Sequence, residues 1–255
     1  IQDDLAVLRQ YFDLGVRAMT LAWDNSNNLV DGIMDDPING GLTLFGKNVI
    51  QEMNSMGMLV DVSHLSEEAF WAAMAVTNKP VIASHSAVWG ICEHPRNLKD
   101  DQIKSIGNSG GVICVNFASD LISEKFRQHV ALLKEDEFGA LDEIAQIYSD
   151  DHEAMEGALE ELESKTGQLS NDPSLIPSHV AIVDHIEYII DIMGTAHVGI
   201  GSSFDGSVYL PSGVEDCTKL PLITEELIKR GHSDNVIAGI LGENMLRVME
   251  DVIGS

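Results

Sequence analysis

Two apolar runs in this chain each end in a histidine: Leu59-Val60-Asp61-Val62-Ser63-His64 and Pro80-Val81-Ile82-Ala83-Ser84-His85. A helix-like segment separates them, so they read as successive βα units. A parallel β/α barrel places its chemistry at the C-terminal ends of its strands. Histidines at that position on neighbouring strands can reach one metal ion. A single strand-end histidine is more often a loop cap. Two at the same position in consecutive units argue for function.

The same rhythm runs along most of the chain. Residues 4–14 read as a helix and Ala18–Trp23 as a strand. Thr43 caps a helix to about Met56, and Met58–Val62 is the next strand. Ser66 caps a helix through Val76, followed by a strand at Val81–Ser84. Asp100–Ile106 is helical and Gly111–Phe117 is a fully apolar strand. Val180–Met193 is an amphipathic helix and His197–Gly201 a fifth strand. Helices at about 220–230 and 234–252 close the chain, the second capped by Ser233. The strands are Val/Ile-rich and continuous, as strands buried on both faces should be. Alternation with helices predicts a parallel sheet. Five strands fit either a small doubly wound sheet or the last five of a barrel's eight. No Gly-x-Gly-x-x-Gly opens the first unit, so a dinucleotide fold gains no support.

Residues 120–176 break this rhythm with acidic, helix-forming sequence, including Asp150-Asp151 and Glu160-Glu161. We read them as a helical insertion over the rim of a single 1–255 domain, since β/α barrels run to about 250 residues. Lys plus Arg is 15 and Asp plus Glu is 41, a net charge of −26. Such a surface repels nucleic acid and anionic membranes. No apolar run is long enough for a membrane span. Cys92, Cys114 and Cys217 form no Cys-x-x-Cys pair, so no disulfide framework is expected and a cytoplasmic setting is the default. The first residue is Ile1 rather than methionine, and the expectation is that a leader or a longer N-terminal segment has been removed.

The strand ends supply the candidate chemistry. Trp23 and Asp24 follow the first strand, His64 the second and His85 the third. Asn116 ends the fourth, and Ser202, Ser203 and Asp205 follow the fifth. Two imidazoles fall short of the three protein ligands of a catalytic zinc, so carboxylates or further histidines are needed. Strand alternation turns Asp61 to the face opposite His64, which makes it structural. Arg96 suits a substrate carboxylate, although pairing with a surface acid is as good a reading. Asp205 reads as a general base or, through Asp-Gly, as a turn. His94, His129, His152, His179, His185, His197 and His232 fit no ligand geometry and are taken as surface or capping residues.

Taken together, these residues carry a resemblance. The motifs are Asp13 to Arg17, Gly41 to Gly46, Leu59 to Ser66, Pro80 to Ser86, His94 to Asn97, Gly111 to Phe117, His197 to Gly206 and Glu243 to Arg247. In this order they resemble the membrane (renal) dipeptidase family of dinuclear zinc peptidases. The resemblance implies a (β/α)8 TIM barrel of the metal-dependent hydrolase type, of which this chain is roughly the last five βα units. It implies two zinc ions with His64 and His85 among their ligands, and Arg96 on the carboxylate of a dipeptide substrate. It also implies hydrolysis of the dipeptide by a metal-bound hydroxide. Trp23 and Asn116 would lie at the substrate, and a homodimer would be in keeping with the family.

Three departures accompany the resemblance. The family's His-x-Asp ligand pair and bridging glutamate have no counterpart here, and the expectation is that they precede Ile1. Trp23 takes the place of a substrate-contacting histidine, as in some bacterial members. Ser203 stands where the family has the aspartate that handles the catalytic proton, a role serine cannot fill. The expectation is therefore an impaired zinc dipeptidase. A catalytically inactive relative acting as a ligand-binding or scaffold protein is the alternative.

Overall fold

The computed structural model describes residues 1–147, 154–155, 157–158, 160–162, 174–207 and 209–254. Its centre is a five-stranded sheet of β1 (Ala18–Thr20), β2 (Leu59–Asp61), β3 (Ile82–Ser86), β4 (Val112–Val115) and β5 (Val198–Ile200). Every neighbouring pair is parallel, and the spatial order β1-β2-β3-β4-β5 is the chain order. A doubly wound sheet reverses its strand order at a switch point. This sheet never does, so it is an arc of a β/α barrel, and the doubly wound alternative falls. Four strands are shorter than the apolar runs predict, while β3 starts one residue later and runs two residues further than the predicted Val81–Ser84. Only part of each run is paired, and the remainder forms the loops that carry the side chains at the strand ends.

Helices α1 (Leu5–Asp13), α2 (Leu44–Met56), α3 (Glu67–Val76) and α4 (Asp100–Asn108) connect and cover the strands. Thr43 accepts the Gly46 N–H at the start of α2, and Ser66 accepts the Ala69 N–H at the start of α3. Each such cap stabilises a helix by about 1 kcal/mol. Helix α2 ends at Gly57, whose φ of 78° and whose closeness to the Val252 carbonyl both require glycine. After β4 come α5 (Ser119–Ile122) and the long α6 (Glu124–Ile147). Helix α6 begins the segment predicted as an acidic insertion. Glu160 and Glu161 are exposed there, while Asp150-Asp151 and His152 fall outside the described residues.

Helix α7 (Val180–Met193) has the predicted bounds, and α8 (Pro221–Lys229) follows. The predicted helix 234–252 is corrected: α9 (Asp234–Ala238) and α10 (Asn244–Ile253) flank a π-helical stretch at Gly239–Glu243. Gly242 there has φ 164° and ψ −26°, outside the helical region. Ser233 precedes α9 but makes no side-chain cap bond.

Alternate residues of the strands pack in different directions. Val60, Val62, Ala83, Ile113, Val115 and Val198 join the large core with the covering helices. Leu59, Ile82, Val112 and Cys114 pack with Val248 and Val252 of α10. The terminal helix thus covers the second face of the sheet. That explains why the strands read as continuously apolar.

His185 corrects a sequence expectation. It is a core residue with no exposed surface rather than a surface or capping group. Its Nδ1 accepts the Val88 N–H at 3.0 Å, and its Nε2–H points to the Ile122 carbonyl at 3.3 Å.

Candidate metal centre and substrate cavity

Residues from all five strand ends meet at one cavity of about 650 Å3. Its lining includes Trp23, Asp24, His64, His85, His94, Arg96, Asn116, Asp120 and Ser203. His64 reaches it from a strained position, with φ 69° at a non-glycine residue. The neighbouring loop holds that backbone. Ile33 N–H donates to the His64 carbonyl at 3.0 Å, and Ser66 N–H donates to the Asp31 carbonyl at 3.1 Å. Asp31 is itself fully buried, and its carboxylate accepts the N–H groups of Ile38, Asn39 and Gly41. These bonds hold its pKa below the usual carboxylate range against the opposing effect of burial.

The two histidines face each other, with their Nε2 atoms 2.7 Å apart. The other nitrogen of each ring is occupied. Asp24 Oδ1 lies 2.8 Å from His64 Nδ1. Ser84 Oγ lies 2.7 Å from His85 Nδ1 and is also hydrogen-bonded to Asp61 Oδ2. A carboxylate only accepts, so His64 Nδ1 carries a proton and donates it to Asp24. Ser84 donates its single hydroxyl proton to Asp61 and is left to accept from His85 Nδ1–H. Both Nε2 atoms therefore present lone pairs to one another at contact distance.

Two facing acceptors need a cation between them. A proton is poorly suited at neutral pH. Burial pushes the His64 pKa down to about 4, helped by the positive charge of Arg96 and opposed by Asp24. Burial and then Arg96 lower that of His85 as well. A divalent metal ion uses both lone pairs, and neutral imidazoles backed by carboxylate-linked partners are the usual histidine ligands. The pair thus fits part of a metal site. It is not a full set, since no group of three or more His, Cys, Asp or Glu suited to a metal occurs among the described residues.

Asp61 is structural, as expected, but it does not turn away from the histidines as strand alternation suggests: through Ser84 it stands behind His85. Its buried carboxylate accepts from Thr20 Oγ1, Ser63 N–H and Ser84 N–H, which ties β1, β2 and β3 together beneath the histidines. Asp120 is a cavity residue that sequence reasoning passed over. Asp24 was visible as a strand-end acid, but nothing in the sequence shows that it backs His64.

Arg96 is half-buried and lines both the main cavity and a smaller one of about 230 Å3. One guanidinium nitrogen, Nη2, donates to the His85 carbonyl at 3.1 Å, and its buried Nε has no hydrogen-bond partner. Burial lowers its pKa to about 10, opposed by Asp24, Asp61 and Asp120, so it remains cationic at neutral pH. Asn116 lines the cavity with its amide directed to the His85 carbonyl and the Ala118 N–H. Trp23 is 71% exposed at the cavity mouth, its ring 6.3 Å from that of His64. Ser203 lines the cavity in a left-handed conformation, with φ 58° and ψ 40°. Asp205 is exposed in the short turn Phe204–Gly206 and is absent from the cavity lining. His94, taken as a surface residue from sequence, lies on the cavity wall and accepts the Arg96 N–H at 3.1 Å.

A sequential parallel barrel arc with paired histidines at its strand ends defines a metal-dependent hydrolase architecture. The chain belongs to the membrane dipeptidase family, peptidase family M19, which it matches over residues 1–253. It is 32% identical over 253 residues to dipeptidase verJ of Clonostachys rogersoniana, covering 99% of this chain and 52% of that protein. It is 31% identical to dipeptidase aclJ of Aspergillus oryzae, covering 97% of this chain and 48% of that protein. The chain thus spans about half the length of the curated relatives it matches.

Among solved structures, the probable dipeptidase PvdM of Pseudomonas aeruginosa superposes with a TM-score of 0.80 at 28% identity, covering 98% of this chain and 66% of that one. A metallopeptidase of Rhodobacter sphaeroides, bound to a phosphinate mimic of L-Ala-D-Ala, shares the fold with a TM-score of 0.75 at 23% identity, covering 98% and 60%. No described helix is long and apolar enough to cross a membrane.

Proposed function

We propose that the protein carrying this chain is a zinc-dependent dipeptidase whose metal is held in part by His64 and His85. The observation that carries this reading is the pair of Nε2 lone pairs facing one another, each imidazole fixed from behind by Asp24 or by Ser84 and Asp61. Membership of the dipeptidase family supports the same reading. Two imidazoles are too few for a catalytic zinc, so further donors, carboxylates or histidines, would complete the site.

When bound, zinc supplies Lewis acidity toward the scissile carbonyl and makes water a competent nucleophile near neutral pH. The residues of this chain bind and orient. Arg96 lines the cavity as a cation, which suits the C-terminal carboxylate of a dipeptide. Trp23 shields the mouth, and Asn116 braces the His85 carbonyl. Ser203 offers a hydroxyl where proton transfer to the leaving amine calls for a carboxylate, so turnover is impaired. The same serine favours a second reading, a catalytically inactive relative that binds a dipeptide-like ligand or serves as a scaffold. Hydrolysis of a panel of dipeptides by the zinc-loaded protein separates the two. Slow but zinc-dependent release of free amino acids supports the enzyme. Tight dipeptide binding without release supports the second reading.

A further inference from the structure

We infer that Asp120 is the anchor for the substrate's α-ammonium group and restricts the site to peptides with a free N-terminus. The inference rests on the dipeptidase reading, because a dipeptide at neutral pH is a zwitterion and needs a cation and an anion in its receptor. Among the described cavity residues the lysine- or arginine-type cation is Arg96, and the carboxylates are Asp24 and Asp120. Asp24 is engaged with His64 Nδ1. Among the described residues none forms a hydrogen bond or ion pair with the Asp120 carboxylate, and Asp120 lines the cavity that a ligand would enter.

Asp120 and Arg96 also sense one another, since Asp120 is among the charges that raise the pKa of Arg96 against the effect of burial. Their spacing is fixed by the chain itself. Asn97, next to Arg96, donates through Nδ2 to the carbonyls of Cys92 at 2.9 Å and Leu121 at 2.7 Å. Cys92 Sγ–H donates to the Asp120 carbonyl at 3.2 Å, and Ser119 N–H donates to the Tyr209 carbonyl at 2.8 Å. One buried asparagine thus locks the arginine loop to the short helix that carries Asp120. A receptor with both poles held in this way binds its ligand without first ordering them. Both poles line the same cavity as the His64–His85 pair.

The test uses the full-length, zinc-loaded protein and its Asp120→Asn and Asp120→Glu variants. Each is assayed with L-Ala-L-Ala and with N-acetyl-L-Ala-L-Ala, by hydrolysis and by calorimetric binding. Loss of a charge-assisted contact predicts a rise of about tenfold or more in KM and Kd for the free dipeptide in Asp120→Asn. The acetylated peptide, which has no ammonium, is bound equally by both proteins, so the preference for a free amine collapses. Asp120→Glu restores part of it. A merely structural role would weaken both ligands together. An unchanged preference in Asp120→Asn overturns the inference while leaving the dipeptidase reading intact. Amine-selective binding without hydrolysis upholds the inference and removes the dipeptidase reading. Binding of neither peptide by the unmodified protein overturns both.

Discussion

The Nε2 atoms of His64 and His85 stand 2.7 Å apart with a hydrogen-bond acceptor behind each ring, Asp24 for one and Ser84 for the other. That arrangement fixes the tautomers and turns two lone pairs to a common point. A pair of core histidines held only for packing would satisfy both nitrogens of each ring with protein groups, as His185 does.

The backing residues therefore affect metal affinity. Asp24→Asn replaces an acceptor-only group with one that can present an amide donor to His64 Nδ1. Ser84→Ala removes the link from Asp61 to His85. Each substitution is expected to weaken zinc binding by about 10- to 100-fold while leaving the fold intact. Competition with a chromogenic chelator measures this. Unchanged affinity in both variants would mean that the histidines are not ligands.

Ser203→Asp is expected to raise kcat by about tenfold or more, since a positioned general acid or base contributes on the order of 100-fold or greater. The backbone accepts the change. Ser203 is left-handed, with φ 58°, and aspartate tolerates that region better than most residues. Steady-state kinetics on one dipeptide gives the answer, and equal kcat in both proteins would contradict the view that serine limits turnover.

How much of this was legible in the sequence differs from residue to residue. The helix caps at Thr43 and Ser66 and the helix Val180–Met193 follow from local rules, and the structure keeps them. The strand-end placement of His64 and His85 followed from the period of the apolar runs. The break at Gly239–Glu243 did not, because the apolar pattern runs on through it. Asp120 escaped notice, and the pairing of Asp24 with His64 was unforeseen, because both depend on which strand ends converge, a tertiary fact. His185 was misjudged for a related reason. It sits in an amphipathic helix, and only the packing of that helix against the Val88 and Ile122 segments shows that it is buried.

His185 gives the protein an acid-labile point. Burial lowers its pKa to about 4, and protonation at Nδ1 would break its bond from Val88 N–H. The unfolded value is about 6.5, so between roughly pH 6.5 and 4 the unfolded state binds more protons. The stabilising contribution is complete above pH 6.5 and falls by about 3 kcal/mol as the pH drops to 4. Urea midpoints across this range, compared with His185→Gln, check it. A slope unchanged by the substitution would place the acid sensitivity elsewhere.

Asp31 is expected to hold the loop that braces His64. Asp31→Ala leaves the N–H groups of Ile38, Asn39 and Gly41 without their acceptor, the last of them buried, at a cost of about 2 kcal/mol or more. Thermal unfolding should report the loss. Because that loop also supplies the Ile33 bond to the His64 carbonyl, zinc affinity should fall in the variant at temperatures where it remains folded.

The central claim is that His64 and His85 are metal ligands, and zinc content tests it most directly. Elemental analysis of the purified full-length protein and of a His64→Ala, His85→Ala double variant, each confirmed folded by circular dichroism, is the decisive measurement. The account predicts stoichiometric zinc in the first and a clear loss of it in the second. Equal zinc in both, or none in the unmodified protein after exposure to the metal, would contradict it.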